Sequence, residues 1–181
     1  DARKSRGLGD VYKRQTIELN HALRLDGEHS KLVPFHYTHL KFMDYRETEK
    51  KLFESFHDYS ERIKTYPIQG LSFSGMVGKK IVCCFGLLPI WEGVYEAWLI
   101  PCLQIGEHKF KFHKASLRFF NYAAKKLNIH RLQINVSRYN YLAYKWALAC
   151  YFLEEGILKE YGPDKSDYFI MSRLFGKKKK E

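Results

Sequence analysis

The longest apolar stretch in the chain, Ile81 to Trp91, is too short to cross a bilayer, so neither a membrane-spanning helix nor a membrane partner is expected. The N-terminus is charged and holds no apolar core segment, so no secretory leader is expected. Cysteine is scarce: Cys83, Cys84, Cys102 and Cys150 sit at no framework spacing. That argues against a disulfide-stapled scaffold and for buried free thiols in a reducing compartment. His108 and His113 lie five apart with no Cys, His or Asp set to complete a zinc site, so no metal is expected. Neither the serine-hydrolase elbow Gly-x-Ser-x-Gly nor a phosphate-binding Gly-Lys-Ser/Thr occurs, and internal repeats are absent. Acidic residues are short as well, 20 against 31 basic, for a net charge of +11. The deficit is uneven. Residues 1–15 carry three of the eleven net charges, residues 177–181 three more, and the body five. Basicity gathered at the ends does not call for a nucleic-acid partner, and Lys177–Lys180 read as a solvated tail, with a phosphate-binding arm as the alternative.

What is present is globular. Hydrophobic residues make up 45% and aromatics 16% of 181 positions, enough for one domain with a sizeable core. We place that domain at 16–176, followed by the basic tail 177–181. Residues 1–15 (DARKSRGLGDVYKRQ) lack a sustained period and are similar to peptide encoded by sequencing adapters. They are set aside as a non-native extension or a basic disordered arm.

Residues 16–30 are ambiguous between strand and helix. An early strand is expected near 32–42, with Pro34 confining it to an edge or a start. Asp44 is placed to cap one helix from Tyr45 to Tyr66, whose Leu52, Phe53, Phe56, Tyr59 and Ile63 keep helical spacing until Pro67 stops it. Leu71–Val77, Lys80–Leu88 and Gly93–Ile100 read as a meander of three strands, the first turn being Gly78-Lys79. After a polar loop from Pro101 to Phe112 comes an amphipathic helix over His113–Leu127, with Leu117, Phe120, Ala123, Ala124 and Leu127 inward. Arg131–Val136 alternates as a strand. Asn140 opens a short helix through Cys150, Phe152–Gly156 leads into an extended run, and Asp167–Phe175 closes the chain after the turn at Glu160–Asp164.

The stretch from His130 to Gly156 resembles the C-terminal half of the GNAT N-acyltransferase superfamily. The pattern falls on Asn140, Ala143, Trp146-Ala147, Tyr151-Phe152 and Glu155-Gly156. Ala147 stands where members usually have a catalytic Tyr, and Tyr151 where they have Gly. The order β-α-β-β-β-α-β-α-β-β matches over roughly residues 30–175. The resemblance implies an α/β (α+β) fold, GNAT-like, with a central mixed, mostly antiparallel sheet of about seven strands flanked by helices. It also implies an acyl-CoA cosubstrate, acetyl-CoA or a relative, and an amine-bearing small molecule or protein as acceptor. The strand-helix-strand crossover makes the fourth and fifth strands parallel. In the superfamily these splay, and the pantetheine arm inserts between them against backbone groups left unpaired, here those of Leu99 and Ile100 ahead of the ladder-ending Pro101.

The resemblance sharpens toward phage-encoded GNAT-like proteins, including internal virion proteins. It rests on Trp91-Glu-Gly-Val-Tyr-Glu-Ala-Trp98, Phe112-His-Lys-Ala115, Tyr161-Gly-Pro-Asp164 and Asp167-Tyr168. It implies a phage origin, a place in the host cytoplasm or the virion, virion proteins as partners, and a structural role as the alternative to catalysis.

The resemblance also nominates a site. Members bind the CoA pyrophosphate on a Gln/Arg-x-x-Gly-x-Gly/Ala loop before a helix N-terminus, where free N–H groups attract an anion. Here the loop is Gln104-Ile-Gly-Glu-His-Lys-Phe-Lys-Phe-His-Lys114, with the single glycine Gly106. His108, Lys109, Lys111, His113 and Lys114 offer side-chain charge instead, unless the loop is simply a solvated one. Glu96, in the fourth strand, is the candidate base for the attacking amine, or else an ordinary strand glutamate. At ~100° per residue, positions 140, 144, 147 and 151 share an arc of roughly 60°. Tyr144 and Tyr151 therefore flank Ala147 as candidate acids for the departing thiolate, with two core tyrosines as the alternative. Asn140 either holds CoA or caps its helix.

Overall fold

A computed structural model describes residues 14–25 and 27–176. A helix, α1, covers residues 14–23. Residues 14 and 15, set aside above with the extension, therefore belong to the first helix; the rest of that extension and the tail 177–181 lie outside the described residues. Strand β1 is Ser30–Pro34. It is shorter than the run expected near 32–42, because the chain turns after Pro34 into a 3₁₀ segment, Tyr37–Phe42, capped by the His36 ring accepting from the Thr38 amide.

The single helix expected over 45–66 is two: α2, Glu47–Ser55, and α3, His57–Gln69, broken at an extended Phe56. Six residues along one straight helix turn by about 600°, which would point Phe53 and Tyr59 far apart. The break re-phases the two halves so that these rings meet edge-on, centroids 5.3 Å apart. Asp44 does not cap α2. Its carboxylate accepts from Gln104 Nε2 at 2.8 Å, and Arg46 precedes the helix without a side-chain cap. Pro67 sits in the last turn of α3, where its missing N–H costs one bond and does not end the helix.

Strands β2 (Leu71–Val77), β3 (Lys80–Trp91) and β4 (Val94–Pro101) form the expected meander, with β3 running three residues past the Leu88 at which it was expected to end. A 3₁₀ turn, Leu103–His108, feeds directly into α4, Lys109–Lys126. The rest follows the sequence closely: β5 (Arg131–Ser137), α5 (Tyr141–Ala149), β6 (Leu153–Leu158) and β7 (Tyr168–Leu174).

Among the described residues the strands make one seven-stranded sheet in the order β1-β2-β3-β4-β5-β7-β6, antiparallel except for the β4–β5 pair. On one face Leu19 and Leu23 of α1, Phe119 and Phe120 of α4 and Ala147 of α5 pack with Phe73, Leu87, Leu132 and Met171 of the strands. Each of the leucine, phenylalanine and methionine side chains, buried completely, contributes about 1.5–3 kcal/mol. On the other face Ile63 of α3 packs with Cys84, Ile100, Phe35 and Met43. In β5 strict alternation sends Leu132, Ile134 and Val136 into the first core and leaves Gln133 and Asn135 on the second face. The four cysteines are buried and free, as their spacing implied.

Candidate functional site

Strands β4 and β5 pair over only three rungs: Val94 with Arg131, Tyr95 with Leu132, Glu96 with Gln133. Beyond Glu96, β4 continues to Pro101 bonded to β3 alone, and β5 continues to Ser137 bonded to β7 alone. The two strands part there. From Ala97 to Pro101 the β5-side edge of β4 has no strand partner, so its backbone groups are available to an extended amide-bearing ligand. Leu99 and Ile100 lie on this stretch, and Ile100 turns its side chain into the second core.

Glu96 is the last paired residue of β4 and shares a face with Trp98, whose ring meets Tyr66 of α3 at 4.9 Å. Its Oε2 accepts from Gln133 Nε2 at 3.3 Å and from Asn135 Nδ2 at 3.1 Å. Asn135 Nδ2 also lies 3.1 Å from the Tyr161 hydroxyl, while Asn135 Oδ1 is buried without a partner. Burial, and then the Glu96 carboxylate, hold the Tyr161 phenol above its ordinary value. Burial likewise raises Tyr66, which is also close enough to feel both Arg62 and Glu96. A carboxylate held by two amides and walled by Tyr66, Trp98 and Tyr161 therefore sits at the parting point on the α3 face. Gln133, Asn135 and Tyr161 had no role in the sequence reading as members of this cluster. Polar residues at alternate positions of β5 were the available signal.

On the opposite face, under the N-terminal half of α4, lies a cavity of ≈ 110 Å³. It reaches the parting point at Ala97 and Ile134 and is bounded by His108 of the 3₁₀ turn and by Lys111 and Phe112 of α4. Phe112 stacks on Trp146 of α5, centroids 5.6 Å apart, and so bridges the two helices beside it.

The other nominated residues are dispersed. The helix expected from His113 begins at Lys109, so Lys109, Lys111, His113 and Lys114 are helical and not part of a loop. Gly106 falls inside the 3₁₀ turn. Because 3₁₀ geometry spends amides on i→i+3 bonds, few N–H groups are left for an anion ahead of α4. Charged side chains are what that end offers: Lys109, whose Nζ lies 5.2 Å from the Phe110 ring, and exposed Lys111 and Lys114. His113 turns toward α5, its Nδ1 3.7 Å from Cys150 Sγ. Asn140 caps α5, its Oδ1 accepting from the Ala143 amide at 3.1 Å.

The two tyrosines do not flank Ala147. Tyr144 packs on Phe169 and donates to Glu154 on the edge strand β6 at 2.9 Å. That bond to Glu154 lifts its pKa. Tyr151 lies past the end of α5 with φ +67°, 65% exposed, its ring 5.3 Å from the Arg173 guanidinium. The shared arc assumed a helix through position 151, but α5 stops at Ala149. Ala147 is fully buried in the first core.

Comparison with known proteins adds the fold. No protein-family model matches the chain, and no curated protein sequence does either. Solved structures do. A GNAT-family acetyltransferase from Bacillus anthracis superposes with a TM-score of 0.60 at 14% identity, over 81% of this chain and 95% of that one. A spermidine N-acetyltransferase chimera of Vibrio cholerae SpeG and hSSAT gives 0.63 at 21% identity, over 81% and 96%. The ribosomal-protein-S5-alanine acetyltransferase from Vibrio fischeri gives 0.56 at 14% identity, over 81% and 93%. Nearly the whole of each neighbour is matched, so the chain has the GNAT fold.

Proposed function

We propose that the chain is a GNAT-type N-acyltransferase, taking acetyl-CoA or another acyl-CoA as donor and an amine as acceptor. One observation carries the reading: β4 and β5 part after three rungs with Glu96 at the fork. A strand edge without a partner, opening beside a cavity and under a carboxylate, suits an extended amide-containing thioester on one side and an amine on the other.

The residues fit such a donor in two parts. The open edge of β4 from Ala97 to Pro101, including Leu99 and Ile100, would bind the amides of a pantetheine arm. The pyrophosphate would be met by side chains, Lys109, Lys111 and Lys114 with His108 and His113, because the 3₁₀ turn around Gly106 leaves few free amides. The bound donor supplies an activated thioester carbonyl. Glu96 accepts the proton of the attacking amine, and Gln133 and Asn135 orient the carboxylate for it. Tyr144 and Tyr151 face elsewhere. A thiol with an ordinary pKa near ~8.5 can leave as thiolate near neutral pH without a phenol beside it.

A second reading keeps the fold and drops the chemistry, as for a virion structural protein. Buried Ala147, the capping Asn140 and the tethered Tyr144 favour it. The phage origin itself has only the sequence resemblance behind it. The test is release of free CoA thiol from acetyl-CoA over a panel of small amines and amine-bearing peptides. Turnover that Glu96→Gln abolishes supports the enzyme. Donor binding with no turnover on any amine supports the silent fold.

A further inference from the structure

Resting on the acyltransferase reading, we propose that the donor carries an acyl chain of about six carbons, housed in the apolar groove beneath α4. The groove starts where the strands part, at Ala97 and Ile134, so a chain attached to a thioester at the fork would enter it directly. Its lining also includes Leu32, Met76, and Phe85 and Phe119, whose rings meet edge-on with centroids 5.0 Å apart. Small residues on α4, Ala115 and Ser116, face it where larger side chains would close it. The Ser116 hydroxyl is already used within its own helix, donating to the Phe112 carbonyl at 2.8 Å. Two polar groups in the lining are unspent: the Trp98 and Trp146 Nε1–H groups are buried and have no partner. A hydrocarbon chain that ends in a carbonyl answers both features, apolar walls and orphan donors.

Size limits the chain. An apolar cavity of about 150 Å³ holds a benzene ring. The ≈ 110 Å³ present here therefore takes about four carbons beyond the carbonyl region, where acetyl fills almost nothing. Each buried methylene adds roughly fourfold in affinity.

The experiment is calorimetric titration of the full chain with acetyl-, butyryl-, hexanoyl- and decanoyl-CoA, and of Ala115→Phe with the same series. Hexanoyl-CoA is expected to bind at least tenfold tighter than acetyl-CoA, with no further gain for decanoyl. In Ala115→Phe the hexanoyl-to-acetyl ratio is expected to fall to about one. Acetyl-CoA binding as tightly as hexanoyl-CoA to the unmodified protein overturns the chain-length inference and leaves the acyltransferase reading standing. Failure of every donor to bind at millimolar concentration overturns both. Should Ala115→Phe fail to fold, the series on the unmodified protein decides the matter alone.

Discussion

Asn135 and Glu96 meet across the line where two parallel strands separate, Nδ2 to Oε2 at 3.1 Å. The amide comes from the first β5 face position past the last rung, so the contact depends on the fork being open there. Glu96→Gln is expected to reduce kcat by roughly 10²–10⁴-fold, the usual worth of a general base. Asn135→Ala removes one hydrogen bond to a charged group, and about tenfold in kcat with little change in the donor KM is expected. Equal loss in both parameters would make Asn135 a packing residue and not a positioning one.

The cysteines are expected to be chemically silent. Burial pushes the Cys84 and Cys150 thiols up to about 12 and also raises Cys83 and Cys102. Thiolate, the reactive form, is then nearly absent at neutral pH. Titration with a disulfide reagent at pH 8 should show no rapid reaction in the folded protein and four equivalents after denaturation. Fast labelling of any one in the native state contradicts this.

Gly93 and Gly78 both hold positive φ, +72° and +58°, but only Gly93 is crowded: a Cβ there would lie 2.4 Å from His130 Nδ1. Gly93 also accepts from the His130 and Arg131 amides at 2.9 and 3.1 Å, where β4 and β5 begin to pair. Left-handed strain alone costs about 1–2 kcal/mol for alanine. Thermal melts should therefore show a larger drop for Gly93→Ala than for Gly78→Ala, by at least 2–4 °C for each additional ~1 kcal/mol. Equal drops would show that the His130 ring yields freely.

Arg131 grips Glu155 with both guanidinium nitrogens, at 2.8 and 2.5 Å, and Ser172 donates to the same carboxylate. The guanidinium first, and then the Ser172 hydroxyl, hold Glu155 down to about 2. A depressed folded pKa means that the pair's contribution is complete above the ordinary carboxylate value of 4.5 and is lost as pH falls toward 2. Both side chains are partly solvated, so the contribution is about 1 kcal/mol or less. Glu155→Gln should be less stable than the unmodified protein at pH 6, and the gap should close by pH 2. A gap of constant size across that range would rule the ion pair out as its source.

Much of this architecture was legible in residue patterns. The meander over 71–100 and the strand-helix unit from Arg131 to Ala149 rest on local alternation and spacing, and they stand where those patterns put them. The break at Phe56 was not legible, because it serves a tertiary contact between Phe53 and Tyr59. The 3₁₀ entry into α4 was missed for a similar reason: apolar Ile105 is buried by packing, which turns an apparently polar loop into structure. The parting of β4 from β5 was expected from the resemblance, and Glu96, nominated from its place in the fourth strand, stands at the last rung before it. The partners of Glu96, Gln133 and Asn135, were not nominated, since they follow from the strand register. Tyr151 stands apart from Ala147 because helical arithmetic was carried past the residue where the helix ends, whereas Tyr144 lies within α5 and is drawn to Glu154 on β6.

The most direct test of the open fork is calorimetric titration with acetyl-CoA, repeated on the triple variant Lys109→Ala, Lys111→Ala, Lys114→Ala. Saturable one-to-one binding is expected, weakened in the variant and by added salt, because side-chain charge meets the donor's phosphates. Absence of binding at millimolar donor, with the protein folded, would contradict the account.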